Sequence, residues 1–432
     1  MSVDVRSIPT AVRRRLADGP LYYGWVVVGA CFVISVITWG TVWSFGVFFG
    51  YIADEFGLSH ANTSVVFSLQ SFVTLAGAVV VGFVVDRYGA RRLLVVAAGL
   101  VVLGLFGVSR LDSFAGVLLS YGLVVALGFA IASVIEKATP SRWFDRRRGF
   151  ATGIAGAGAG VGIFLFPPIL EGLIQEVGWR DAYGSLLLAF LASYVVAAAF
   201  ISDRPTDLDL DPSSEFPNGP PEQASPTSGW RSQVEDVFVV ARRPAFGLVF
   251  LAVFCLSTAV FTVMVNVVEF TTSAGLGREV GVLAISAAGA TNVAGKLVGG
   301  RVSDRVGRPV TYASAGLFMG AGIALLLGVP DPTGVVAAAV VFGFGWGINI
   351  GLLAPTVADL FGTLSINALV GVIFGTIAVA GSLVPYLTGL AFDLFGTYRP
   401  AFLGAMVVSV TGSGLVLVAV RLEARDSRPT PA

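Results

Sequence analysis

Lysine is almost absent from this chain: its 27 basic residues are 25 arginines plus Lys137 and Lys296. Lys296 stands in "NVAGKLVGGRVSD" (Asn292–Asp304), and it and Arg301 are the only charges between Val280 and Ser303. A lysine ammonium is a compact charge that gives up its proton readily when desolvated, and placing one inside an apolar run is costly, so it calls for a reason. Helical spacing of four puts Asn292 and Lys296 on one face, with Gly289 and Gly299 completing a small, polar stripe fit to line a cavity. A second reading stays open. Arg301 lies five residues on, about 7.5 Å along a helix at ~1.5 Å per residue, and a lysine stem can snorkel that far to an interface.

Three further polar groups interrupt apolar runs. Glu136 adjoins Lys137 in "SVIEKATPSRWF"; neighbours on a helix point about 100° apart and pair poorly, so Glu136 is either a proton carrier facing a pore or an interfacial residue. Glu269, near Asn266, is a similar candidate for proton coupling. Asn349 in "GWGINIGLLAP" is an amide suited to helix packing or to substrate contact. His60 is the only histidine, too few for a metal cluster or a Ser-His-Asp set, and its place after Ser59 reads as a capped helix start on the outer surface. Cys31 and Cys255 read as small hydrophobes. "GIAGAGAGVG" (Gly153–Gly162) misses the G-x-G-x-x-G spacing and follows no strand, so it reads as close helix packing. These residues predict no enzyme, no cofactor and no metal.

The elements that carry these groups are legible from composition. Of 432 residues 55% are hydrophobic and 12% charged, with mean hydropathy +0.85; a soluble domain carries about twice that charge. Twelve apolar runs approach or exceed the ~20 residues that cross a bilayer, at 23–52, 61–85, 93–109 (short), 114–135, 150–170, 182–201, 245–268, 280–300, 310–329, 334–358, 366–392 and 400–420. The expected fold is an all-α polytopic membrane protein of twelve transmembrane helices. With the N-terminus inside, 21 arginines fall in cytoplasmic segments and four, Arg110, Arg180, Arg278 and Arg399, in outer loops. The positive-inside rule then puts both termini in the cytoplasm of a multi-pass cell-membrane protein. The first run is too long for a signal-peptide core and is expected to be retained. The partners expected are the lipid bilayer and a small molecule, not nucleic acid.

The chain repeats itself. "GFVVDRYGARR" from Gly82 returns as "GRVSDRVGRP" from Gly300: Gly82, Asp86, Arg87 and Gly89 recur as Gly300, Asp304, Arg305 and Gly307, each displaced by 218 residues. Two six-span halves follow, 21–202 and 243–421, between tails 1–20 and 422–432. The linker 203–242 includes most of the Pro-, Asp- and Ser-rich stretch Ser202–Gly229, which cannot bury a core. Beyond it Trp230, Val234, Val237 and Ala241 share a face, as an interfacial helix would.

Six plus six spans in parallel repeat, with a G-x-x-x-D-R-x-G loop in each half, resemble the major facilitator superfamily. In such a fold Asp86 is expected against the N-terminus of span 11 near Ser365, and Asp304 against that of span 5 near Gly149, each carboxylate meeting the roughly +0.5 charge of a helix start. Gly82 and Gly300 would let the helices approach closely. Both loops thus read as gates between the halves.

A narrower resemblance is to the monocarboxylate porter and oxalate/formate antiporter branch, carried by three stretches. "DGPLYYGWVVV" holds Asp18, Gly19, Gly24 and Trp25, with an insertion closer to the prokaryotic pattern. "SRWFDRRRGFATGIAGAG" matches through Trp143, Phe144, Arg147, Arg148, Ala151 and Gly153. "GSLVPYLTGLAFDLFGTYRPAF" matches through Gly381, Pro385, Gly389, Asp393, Gly396 and Tyr398. In that branch helix 8 carries Asn or Asp, then a carboxylate-binding Arg, then Gly, at spacings of four. Here these are Asn292, Lys296 and Gly300, so the resemblance assigns the carboxylate to Lys296. Oxalate/formate exchangers add a helix 11 lysine, whereas Ser365–Phe392 holds no basic residue, which favours monoanions unless Lys137 supplies a second cation.

The expected function is secondary transport of a small organic anion, such as lactate or pyruvate, by alternating access with proton coupling or exchange, as a monomer. The alternatives are an efflux pump for other small molecules and a transport-dead sensor on the same fold.

Overall fold

Inside hydrocarbon a backbone can satisfy its amides only within its own segment, and each apolar run accordingly becomes one helical span. The structure is a computed structural model that describes residues 22–145, 147–203, 239–328, 331–362 and 366–426. Twelve spans alternate in direction: α1 Gly24–Phe56, α2 His60–Tyr88, α3 Ala90–Arg110, α4 Phe114–Trp143, α5 Arg148–Val177, α6 Trp179–Phe200, α7 Pro244–Ser273, α8 Arg278–Val306, α9 Arg308–Gly328, α10 Pro332–Phe361, α11 Leu369–Phe395 and α12 Arg399–Glu423. Most run several residues beyond the limits read from hydropathy, and the short third run is a helix of 21 residues. The tail 1–20, the Ser202–Gly229 linker beyond Asp203, and Trp230, Val234 and Val237 lie outside the described residues, as does Ser365.

The repeat extends past the loop that reveals it. Gly89 and Gly307, the last glycines of the two loop motifs, take φ of 86° and 99°, a region nearly closed to other residues. Each ends a span, and the next helix begins one residue later. The same displacement of 218 residues relates left-handed Gly57 to Gly275 and Gly178 to Gly396. Three turns of each half are therefore built alike.

α1 is two helices, Gly24–Trp43 and Phe45–Phe56, meeting at Ser44. The Ser44 hydroxyl donates back to the Gly40 carbonyl at 2.7 Å, a local bond that bends helices. The second piece leans on α7, where Gly46 leaves room for the Val265 carbonyl. α8 packs on α10 and α5, and α11 on α2 and α7, so α8 and α11 sit where the halves meet. For orientation, the terminal face is the end holding Tyr22 and Asp203, and the far face is the opposite end.

Candidate functional site

α8 has the lowest hydropathy of the twelve spans, and its glycines seat it against α10. Gly295 lies under the Phe344 carbonyl, and Gly351 of α10 abuts the Lys296 stem. Lys296 is half-buried, and among the described residues no hydrogen bond or ion pair reaches its ammonium. One turn away, Asn292 is 2% exposed and its Nδ2 also lacks a partner. The stripe foreseen on α8 thus carries two unspent donors.

Across the junction, α4 supplies the opposing charges. Glu136 is 3% exposed; its Oε1 accepts from Trp39 Nε1 at 2.7 Å, and its Oε2 has no partner. Lys137 and Lys296 both act on this carboxylate electrostatically. Lys137 is exposed, with its ammonium 5.2 Å from the Trp39 ring centroid and 6.0 Å from that of Phe374 on α11. A cation over an aromatic face is held by the ring quadrupole, so the α4 lysine reaches the α11 wall that has no basic residue of its own. Local pattern could not reveal this, because Glu136 and Lys296 are 160 residues apart.

The other two candidates lie elsewhere. On α10 the face toward α8 carries Gly343, Gly347 and Gly351, whereas Gly345 packs against α9. Asn349, one turn from Gly345, turns the same way: its Oδ1 accepts from Tyr312 of α9 at 2.9 Å. Glu269 pairs with Arg278 at 3.1 Å, and Arg278 is 18 residues from Lys296, about 27 Å along α8 at ~1.5 Å per residue. A groove of about 400 Å³ between α1 and α6, walled by Val26, Val33, Val196 and Phe200, holds no charge to attract an anion.

At the far face the halves are sewn together. Asp393, near the end of α11, accepts the amides of His60 and Ala61 at 2.9 Å each, capping the start of α2 across the junction. The His60 ring stacks 4.0 Å from Phe392, and Gly389 leaves room for the His60 carbonyl. His60 is therefore a seam residue as well as a helix start. Arg278 donates to the Val47 carbonyl at 2.8 Å, lies 4.5 Å over the Tyr51 ring and comes within 3.8 Å of Glu171. Gly381, Gly389, Asp393 and Tyr398, singled out by resemblance alone, belong to this seam.

The terminal face differs. Among the described residues, four of its polar contacts stay within one half: Asp86 with Arg142, Ala90 amide to Asp203 at 2.7 Å, Arg308 to Asp359 at 2.9 Å and Arg243 to Glu423 at 3.7 Å. Asp304 and Arg305 are exposed, and Arg87 lies 5.7 Å from the neighbouring Tyr88 ring. A Cβ added at Gly82, Gly149, Gly300, Gly371 or Gly375 on the junction helices would meet no atom of another described element within 4 Å. The contact of Asp304 with the start of α5 is not made here, the close approach at Gly82 and Gly300 is likewise absent, and the expected partner of Asp86 near Ser365 lies outside the described residues. Among the described residues the polar contacts that join the halves lie at the far face, and none is made by Asp304 or Arg305 across the terminal face.

Comparison with known proteins agrees with this geometry. Residues 31–384 match the family model described as Major Facilitator Superfamily. Monocarboxylate transporter 13 of Bos taurus is 28% identical over 413 residues, covering 94% of this chain and 91% of that protein. Monocarboxylate transporter 11 of Homo sapiens is 28% identical over 398 residues, covering 90% and 81%. These relatives are animal proteins and lend no support to a prokaryotic type. A bacterial homologue of the human lysosomal transporter Spinster, crystallised inward-facing and unoccupied, shares the fold at TM-score 0.75 and 17% identity, covering 96% of this chain and all of that one. The paired loops, the 218-residue repeat and the twelve spans are those of a transporter fold, and the chain belongs to the Major Facilitator Superfamily.

Proposed function

We propose that this protein is a secondary transporter of small organic anions, with monocarboxylates such as lactate or pyruvate as the class that fits best. The observation that carries this reading is the unpaired Lys296 ammonium where the two halves meet. Lys296 brings one positive charge to an apolar span, which a single carboxylate balances. Asn292 offers that carboxylate a second donor one helical turn away. The relatives' own names point to the same substrate class. The split of 21 arginines against four argues that the terminal face is cytoplasmic and the far face external. Transport then follows from alternating access: the far seam opens as the terminal face closes, with the paired loops as the inner gate. The test is uptake of radiolabelled lactate, pyruvate and acetate into proteoliposomes, with and without an imposed pH gradient. Saturable uptake of at least one, above protein-free liposomes, is expected; uptake of none overturns the reading.

A further inference from the structure

Histidine is the side chain whose charge changes between about pH 5 and 8 without help from its surroundings, and this chain has a single one, His60. It stands on the seam between the halves. Its Nδ1 lies 3.5 Å from Asp393 Oδ1, the oxygen that also accepts the His60 amide at 2.9 Å. The two side chains are 25% and 23% exposed, so protons of the far-side solution reach them. Three rings surround the imidazole. Phe49 of its own half has its centroid 5.7 Å away, and the other half brings Phe392 at 4.0 Å and Tyr398 at 5.8 Å. Among the described residues only Asp393 pairs with the ring. α2 itself carries no acid or base between His60 and Asp86, nor does α4 between Asp112 and Glu136. Near the end of α1, Glu55 is held by Arg180 at 2.6 Å and Asp54 is exposed. Toward the end of α7, Glu269 is 3.1 Å from Arg278, and α12 starts with the exposed Arg399.

A proton on His60 favours the closed seam. There the imidazolium meets the Asp393 carboxylate and the Phe392 ring, both supplied by the other half. Opening removes both and leaves a cation alone at the positive N-terminus of α2, where it is disfavoured. The closed seam therefore binds this proton more tightly than the open one, and by linkage acid drives closure. The added closure is complete below the pH at which the imidazole of the open seam protonates. It is gone above the pH at which that of the closed seam does. We propose that His60 is an acid-operated latch of the far seam, its imidazolium held by Asp393 and Phe392 across the junction and released when the proton leaves. With the far face external, acid outside holds the seam shut and biases the carrier toward opening at its terminal face. The latch rests on the alternating-access reading and on no particular substrate.

The test uses full-length protein in lipid nanodiscs, in a background lacking Cys31 and Cys255. Nitroxide labels on cysteines at exposed Val177 and Thr333, one in each half, report the far-face separation by pulsed electron resonance between about pH 5.5 and 8. With wild-type residues at His60 and Asp393, the ratio of closed to open populations is expected to fall about threefold toward alkaline pH, the scale of one partly exposed ion pair. His60→Gln leaves both backbone amides on Asp393 and carries no charge, so it should show the alkaline ratio at every pH. His60→Arg keeps a flat cation in that place and should show the acid ratio at every pH, which a merely structural histidine would not predict. Asp393→Asn, with His60 intact, should lose the same pH response. Two populations whose ratio ignores pH, or a pH response undiminished in His60→Gln, overturn the latch alone. A single far-face separation at every pH, in the wild type and all three variants, overturns alternating access and takes the latch with it.

Discussion

At the scale of single residues, the central site is a set of unsatisfied valences: a free ammonium, a free amide and half a carboxylate. The one bond that fixes Glu136 is the 2.7 Å contact from Trp39, so this indole is expected to matter beyond its apolar area. Trp39→Phe keeps a ring beneath Lys137 and removes the donor to Glu136 Oε1. The expected loss is about 1–3 kcal/mol of stability, the cost of an orphaned buried polar group, read as a lower midpoint of thermal unfolding in detergent. An unchanged midpoint would mean the bond contributes nothing net. Lys296 drew notice in the sequence because it and Arg301 are the only charges between Val280 and Ser303. Glu136 was legible only as a choice between pore and interface. What decides for the interior is a tryptophan 97 residues earlier, and no local spacing encodes that. Asn349 was legible only as a choice between helix packing and substrate contact, and the face that α10 turns to α9 puts it against Tyr312.

At the scale of elements, helix ends do the joining. Asp393 is a carboxylate at the positive end of α2, supplied by the other half. Such a charge contributes roughly 0.3–1 kcal/mol when exposed and up to ~2 kcal/mol when partly buried. Asp393→Asn keeps an acceptor and loses the charge, so the seam should open more often. A cysteine at Ser71, beneath the seam beside Gly381, should then react faster with an impermeant thiol reagent applied at the far face. About threefold to tenfold is expected for a loss of roughly 0.7–1.4 kcal/mol, in a background lacking Cys31 and Cys255. An unchanged rate would show that Asp393 does not hold the seam. The far-face helix-end contact follows the logic that the sequence suggested for Asp86, with span 11 giving the acid and span 2 the helix start. The repeat was visible at one loop because Gly and Asp recur there as residue types. Its two further turns were harder to see because little besides the glycines is shared, Gly57 with Gly275 (each followed by leucine) and Gly178 with Gly396, and isolated glycines are common among the 54 in the chain.

At the scale of the molecule, the twelve spans and their two halves were readable because hydrocarbon admits only one solution for each apolar run. The state of the bundle was not readable, since two packings of the same helices differ in which end is sewn shut and the sequence must serve both. Among the described residues the cross-half hydrogen bonds gather at the far face, while the ion pairs Asp86–Arg142 and Arg308–Asp359 of the terminal face stay within their halves. The central claim is that an organic anion crosses the membrane on Lys296. Removing the ammonium strands that anion in a poorly solvated site, a loss on the order of 3–5 kcal/mol for breaking a buried charge pair. The direct measurement is saturable uptake of radiolabelled lactate into proteoliposomes under an imposed pH gradient, wild-type protein beside Lys296→Ala, with equal incorporation and similar thermal unfolding. The account predicts uptake by the wild type and none above background by the variant; equal saturable uptake by both would contradict it.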